Sequence, residues 1–450
     1  MSGPKGYRFA GDVQLTKVAF VGIDSRVIDI TAIVSTVNIY QNIFRHYMEC
    51  ELVFTDASKF IHNLPQFKEE KITGGFTGTE IVVIEYKENG NTGKEKVFTH
   101  TFRMYSLSDR NSLENSELYL MSGISEEGWQ LQSKRISKTF GSGTIESMMK
   151  SVFQNYFKSP NIQEVYTTLK SITNNRVNKQ LNTMESIGNH KFIVPNWTVD
   201  TTIDFFCDEA DCATRIPYFL FYEDSENFNF SNVNGLTKQE PIDEYFYAKT
   251  NIRSDGSSEE DNKEVMIPSD KIITGYKVNR QIDFLENVQT GLYRASTNSV
   301  DTLKKKSKNV VYDYQTYAPI FNKLQERIIA GVVEQDVPVY SLMTSRTGHD
   351  VDPLFASENP LPKRTNVTRD IRQSFMSSVF NTALEVSIPG NANLKVGQVI
   401  KLSFPVDTDE SDLEEEDKYL TGNYLITKVR QLFTPNSTET LLECTKDGGI

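Results

Sequence analysis

From Asn381 to Lys446 the chain alternates apolar and polar residues through four segments. Alternation of period two buries one face of each strand and leaves the other to solvent. The stretch ALEVSIPGNANLKVGQVIKLSFP places turns at Pro389-Gly390-Asn391-Ala392 and at Gly397. An acidic run, DTDESDLEEEDK, follows, and YLTGNYLITKVRQLF and TETLLECTKD then resume the pattern. The segment is expected to be an antiparallel β-barrel or the edge of a β-sandwich.

The 450 residues fit about two to four domains. Apolar content of 38% and charged content of 24% suit a globular chain, and 27 Phe with 20 Tyr favour β structure. The net charge of −12 argues against a main surface that neutralises phosphates. An acidic surface keeps a chain in solution, and it also suits a channel wall past which a polyanion slides. The cysteines (Cys50, Cys207, Cys212, Cys444) show no metal-type pairing, and the pattern fits a reducing compartment without disulfides. Cys207 and Cys212 in FCDEADC are read as two positions on one helix, turned well apart around its axis. No apolar run is long enough for a membrane span, and MSGPKGYRFAGD has no apolar signal core, so secretion is not expected.

Residues 1–17 read as an arm, and 18–125 as a small β-barrel. In it ITAIVSTVNIYQNI and MECELVFTD pair, Glu88-Asn89-Gly90-Asn91 turns a hairpin, and SELYLMSGIS adds a strand. A mixed α+β domain spans 126–250, with helices capped by Thr144 and Thr198, a further helix over 161–169 and a hairpin turning at Asp224-Ser225-Glu226-Asn227. An acidic linker covers 251–265. The rest, 266–450, is the second β region; it has a loop-rich insertion at 333–365, and RDIRQSFMSSVFNTALEV passes from helix to strand. The expected class is α+β, mainly β.

Candidate chemistry is sparse. His46, His62, His100, His190 and His349 never fall at HxH or HExxH spacing, so no metal site is expected on them. Gly141-Ser142-Gly143-Thr144 lacks the Walker lysine and reads as a flexible entry to a helix. Ser142 is in no G-x-S-x-G elbow. Carboxylate groups such as Asp208, Glu209 and Asp211, or Glu414 to Asp417, are what any acidic chain contains. Trp129 and Trp197 read as core or interface anchors. Lys304, Lys305, Lys306 and Lys308 form a basic run suited to an acidic neighbour, or simply a solvated strand end. Asp412, Glu414, Glu415 and Glu416 mark the acidic loop as a second interface candidate.

The order "strand, IPGN, VG, strand, P, loop, GNYLI" resembles the closing barrel of baseplate central hub proteins of contractile-tailed, T4-like phages. MECELVFTDASKFIHNLP, FRMYSLSDR with YLMSGISEE, GTIESMMKSVFQNYF, FIVPNWTVDTTIDFFCDEA with PYFLFYEDSENFNFSN, and NVQTGLYRAS with VYDYQTY follow the same family in order. The acidic loop at 407–418 and the 333–365 insertion depart from its simplest members.

This resemblance implies a structural protein of the virion tail baseplate, assembled in the host cytoplasm, with no enzymatic activity and no cofactor. It implies two tail-tube-like barrels per subunit, so that a homotrimer presents six and adapts a hexameric tail tube to a trimeric central spike. The implied partners are the spike, the tube, the tape-measure protein and baseplate wedge proteins, with phage DNA passing along the lumen without sequence-specific binding. Two alternatives stay open: the hub of a bacterial injection system that delivers protein, and a peptidoglycan-cleaving baseplate enzyme.

Overall fold

A computed structural model of the chain describes residues 13–21, 27–57, 80–89, 95–112, 116–157, 179–213, 218–247, 269–281, 283–301, 306–317, 339–344, 366–405, 416–435 and 437–447, with positions 76, 78, 216, 321 and 324 besides. The first stretch contributes strands β1 (Val13–Val21), β2 (Val27–Asp29), β3 (Val34–Asn42), β4 (Glu49–Asp56), β5 (Ile81–Asn89), β6 (Glu95–Ser112) and β7 (Glu117–Ser125). Burial along β4 runs alternately half-buried and buried, as the period-two sequence requires.

The middle contains α1 (Glu126–Ser133), β8 (Arg135–Gly143), α2 (Ile145–Tyr156), β9 (Gln180–Thr183), β10 (His190–Thr198), α3 (Val199–Glu209), β11 (Phe219–Glu223) and β12 (Asn227–Asn232). The side-chain hydroxyls of Thr144 and Thr198 accept the amides of Ser147 and Thr201, so both expected caps start their helices. The expected hairpin turn also forms, with Asp224 Oδ1 taking the amides of Glu226 and Asn227 at 2.7 and 2.8 Å. The expected helix over 161–169 lies outside the described residues.

The last part supplies β13 (Glu244–Phe246), β14 (Gly275–Arg280), β15 (Arg294–Asp301), β16 (Lys306–Asp313), β17 (Val339–Thr344), α4 (Asn366–Val379), β18 (Thr382–Pro389), β19 (Val399–Ser403), β20 (Gly422–Phe433) and β21 (Thr438–Lys446). The strand β17 falls in the span read as loop. It pairs in parallel with β15 from across a long connection, a partnership without a local turn signal.

The class is α+β, mainly β, as expected. Thirteen strands form one sheet whose main path runs β14-β18-β21-β20-β3-β4-β7-β6-β5-β1-β2, with β19 on β20 and β13 on β19. The expected barrels do not close as continuous ladders. Among the described residues the ends meet instead through an isolated bridge, Phe246 to Ile272, and a 2.8 Å bond from Thr438 Oγ1 to the Val13 carbonyl. The reason lies in β20. Its first half pairs with β19, the register shifts between Ile426 and Lys428, and from Lys428 onward the same edge pairs with β3. Strands from the two ends of the sequence thus share one sheet.

Two apolar cores lie on the inner side of this sheet. One gathers Leu384, Val386, Ile400, Leu425 and Val429 under α4 residues Ile371 and Phe375. The other gathers Phe20, Val37, Leu52, Ile84, Phe102 and Phe433. The rings of Tyr86 on β5 and Phe433 on β20 approach to 4.9 Å, so the first half curls back over the end of β20. A third core, including Met149, Ile203, Phe206, Phe221 and Phe228, belongs to the mixed layer.

Candidate assembly surface

Residues directly opposite in adjacent strands share a face, so the registers assign each position a side. On the outer side, Lys277 of β14 stands opposite Glu385 of β18, Glu385 opposite Glu443 of β21, and Glu443 opposite Lys428 of β20. The next row runs Ser387, Leu441, Arg430, Tyr40 and Glu49, and the one after runs Pro389, Glu439, Leu432, Asn38 and Glu51. Their inner neighbours Leu384, Val386, Leu442 and Val429 are at most 1% exposed.

The outer face is cross-linked by its own polar groups. Lys428 Nζ lies 2.8 Å from Glu443, Tyr40 Oη donates to Glu51 at 2.6 Å, and Arg430 Nε donates to Asn38 Oδ1 at 3.0 Å. Lys277, Lys428 and Arg430 stand against Glu49, Glu51, Glu385, Glu439 and Glu443, so carboxylates outnumber cations. Such a face is wettable and mildly acidic. Continuous across the junction of β20 with β3, it belongs to both halves of the chain.

The turn after β18 pins this geometry. Asn391 accepts the side-chain amide of Gln431 on its carbonyl at 2.8 Å, donates its own amide nitrogen to Thr440 Oγ1 at 2.9 Å, and gives its side-chain amide to Tyr245 Oη at 2.9 Å. It thereby binds β13, β20 and β21 at one buried point. Gly390 is needed beside it, because a Cβ there would meet Thr438 Cγ2 at 2.8 Å. Gly397, φ +81°, lies against Tyr222, whose hydroxyl would be 2.3 Å from an added Cβ.

The mixed layer is fastened to the end of the sheet by charged contacts. Glu223 of β11 accepts the Met48 amide at 2.8 Å and the Ser125 hydroxyl at 2.5 Å, and Lys179 Nζ lies 2.7 Å away. Burial pushes the Glu223 carboxyl up from its ordinary range, and the Lys179 ammonium opposes that rise. His46, in the β3–β4 turn, sets Nδ1 2.7 Å from Asp200 and Nε2 3.3 Å from Asp204, both on α3. These three side chains offer atoms within 4.8 Å of one another. The carboxylates face opposite nitrogens of one ring, however, so the arrangement suits an imidazolium bridging two anions better than a shared cation. Burial lowers the His46 pKa, and the hydrogen bonds from Asp200 and Asp204, with their charges, outweigh it and raise the value to about 9.

Among the residues singled out from sequence, Lys306 and Lys308 lie two apart on β16, opposite Asp301 and Ser299 of β15. Lys304, Lys305, Asp412, Glu414 and Glu415 lie outside the described residues. Glu416 is exposed and bridges Pro405 at the end of the acidic loop. The two candidate groups are not brought together among the described residues.

Asp208 meets Arg372 at 2.8 Å, Asp211 caps the Cys212 amide, and Asp417 caps the amides of Tyr419 and Leu420. All four cysteines are buried and none is in a disulfide. Cys212 does not share a helix with Cys207 as expected: α3 ends at Glu209, because Ala210 turns to extended backbone. Trp129 lies under Arg103, and Trp197 packs edge-on against Phe205. His100 meets Tyr86 Oη at 3.0 Å, whereas His62 and His349 lie outside the described residues. No described helix is long and apolar enough to cross a membrane.

Sequence reasoning missed the outer face, His46 and Glu223. The alternation of β20 and β3 announced two faces, but which strands adjoin was not written in either. The partners of His46 and Glu223 are also distant in sequence and carry no motif.

No family model matches the chain. The probable baseplate hub protein gp334 of Vibrio phage KVP40 is 24% identical over 245 residues, which cover 52% of this chain and 53% of that protein. The match thus spans about half the length of that relative. Among solved structures, the tail protein of Neisseria meningitidis MC58 is 8% identical and superposes with a TM-score of 0.50 over 96% of each chain. The 43 kDa tail protein of prophage MuSo2 from Shewanella oneidensis, 8% identical, superposes with a TM-score of 0.48 over 96% of this chain and 98% of that one. The resemblance carried by the ordered motifs therefore holds: the chain is similar in sequence to a phage baseplate hub protein and has the fold of a tail protein.

Proposed function

We propose that this protein is the structural hub of a contractile phage tail baseplate, acting by assembly and without a catalytic step. Three copies join around an axis, and the two curled halves of each copy present six similar units. A sixfold tail tube stacks on one face of that ring, and a threefold spike seats on the other. Tape-measure and wedge proteins are the remaining neighbours. The observation that carries the reading is the single sheet shared by both halves through β20 and β3, which supplies one continuous, mainly polar face.

That face, with carboxylates in excess, is the wall of the central channel, past which DNA moves without adhering. Lys304, Lys305, Lys306 and Lys308 meet an acidic neighbour, and the loop of Asp412, Glu414, Glu415 and Glu416 stands at the rim. Sedimentation of the purified protein at micromolar concentration tests the assembly. The reading predicts a trimer, or a trimer on adding the spike; a monomer under both conditions contradicts it.

A further inference from the structure

Strands β8 and β10 form a two-stranded ribbon, and among the described residues neither has another strand partner. Its inner side is anchored by Ile136, Phe140 and Val194 in the third core. Its outer side carries Arg135, Ser137, Thr139, Lys191, Ile193 and Pro195, all exposed. Ile193, at 74%, is the most exposed large apolar side chain among the described residues.

The two edges of the ribbon differ. On β10, Pro195 lacks an amide hydrogen and Asn196 sits in a bulge at φ +53°, the devices by which proteins block strand addition. On β8 there is no proline, β10 is its strand partner on one edge alone among the described residues, and the outer face beside Gly141 is open, since a Cβ there would meet nothing within 4 Å. In a chain of net charge −12, the ribbon has Arg135, Lys138 and Lys191 and no carboxylate.

We propose that the open edge of β8 takes an extended acidic segment of a partner protein as a third strand. Main-chain hydrogen bonds along the edge hold the segment, Ile193 gives its apolar side chains a seat on the outer face, and Arg135 and Lys191 on that same face select for acidic residues. A nucleic acid fits less well, because the outer face offers no aromatic ring for a base to stack on. This surface lies apart from the outer face of the large sheet, so the inference stands or falls separately from the channel.

The test is fluorescence anisotropy of the full chain with a short labelled peptide alternating Glu and Val. The expected result is binding that weakens about tenfold when alternate peptide amides are methylated, when Lys replaces Glu, or when the protein carries Lys191→Glu with Ile193→Asp. Thermal unfolding checks that the variant still folds; should it not, the methylated peptide alone decides on the native chain. Equal binding of the methylated peptide shows charge attraction without strand addition and overturns the proposal. No binding of the Glu–Val peptide, tighter binding of oligo-dT, or self-association abolished by the same substitutions overturns it as well.

Discussion

His46 Nδ1 lies 2.7 Å from Asp200 Oδ1, joining a turn of the large sheet to the first turn of a helix in the mixed layer. The histidine is folded with a pKa of about 9 against 6.5 for the free side chain. Its contribution to stability is therefore complete below about pH 6.5 and is lost as pH rises through about 9. His46→Gln should cost about 1–2 kcal/mol at pH 6 and much less at pH 10, since Asp204 is largely exposed and the pair is screened. Denaturant unfolding of both proteins at the two pH values checks this. An equal loss at both would show that His46 acts through packing alone.

Lys446 works in the opposite direction. Its side chain is buried beside the Leu420 and Thr421 carbonyls and over the ring of Tyr424. Burial brings its pKa down to about 8 from 10.5, against the charges of Asp447 and Asp417. The unfolded chain holds this proton more tightly, so stability from Lys446 rises with pH between about 8 and 10.5. Lys446→Met should flatten that rise, and unfolding measured across this window reads it directly.

Gly397 should tolerate no side chain. Alanine there requires a left-handed backbone and displaces the buried Tyr222 hydroxyl, and Gly397→Ala should cost about 2–4 kcal/mol. Adding Tyr222→Phe should recover part of the loss and leave about 1 kcal/mol of backbone strain. A double-mutant cycle of unfolding free energies separates the two.

The four strands from Asn381 to Lys446 were legible because each alternates and each turn carries Gly, Pro or Asn. The helix starts at Thr144 and Thr198 were legible for a similar reason, since a cap and its helix are neighbours in sequence. The meeting of β20 with β3 was not, because Arg430 and Tyr40 are separated by most of the chain and neither strand names its partner. The same distance hid the contacts of His46 with Asp200 and of Asn391 with Tyr245, although turns were expected at Pro389-Gly390-Asn391-Ala392 and at Gly397.

Reversing the charge of the outer face should impair DNA passage. Glu385→Lys, Glu439→Lys and Glu443→Lys together turn a mildly acidic wall basic, and retention of DNA should then weaken steeply with added salt. Ejection from phage particles carrying the triple variant should slow at low salt. Unchanged ejection in particles that assemble normally would remove that face from the channel.

Electron cryomicroscopy of the assembled ring tests the central claim most directly. The account predicts a threefold particle in which Lys428, Arg430 and Glu443 line the axial opening, with β20 and β3 adjacent in every copy. A particle that places those residues on its outer circumference, or one without a threefold axis, contradicts it.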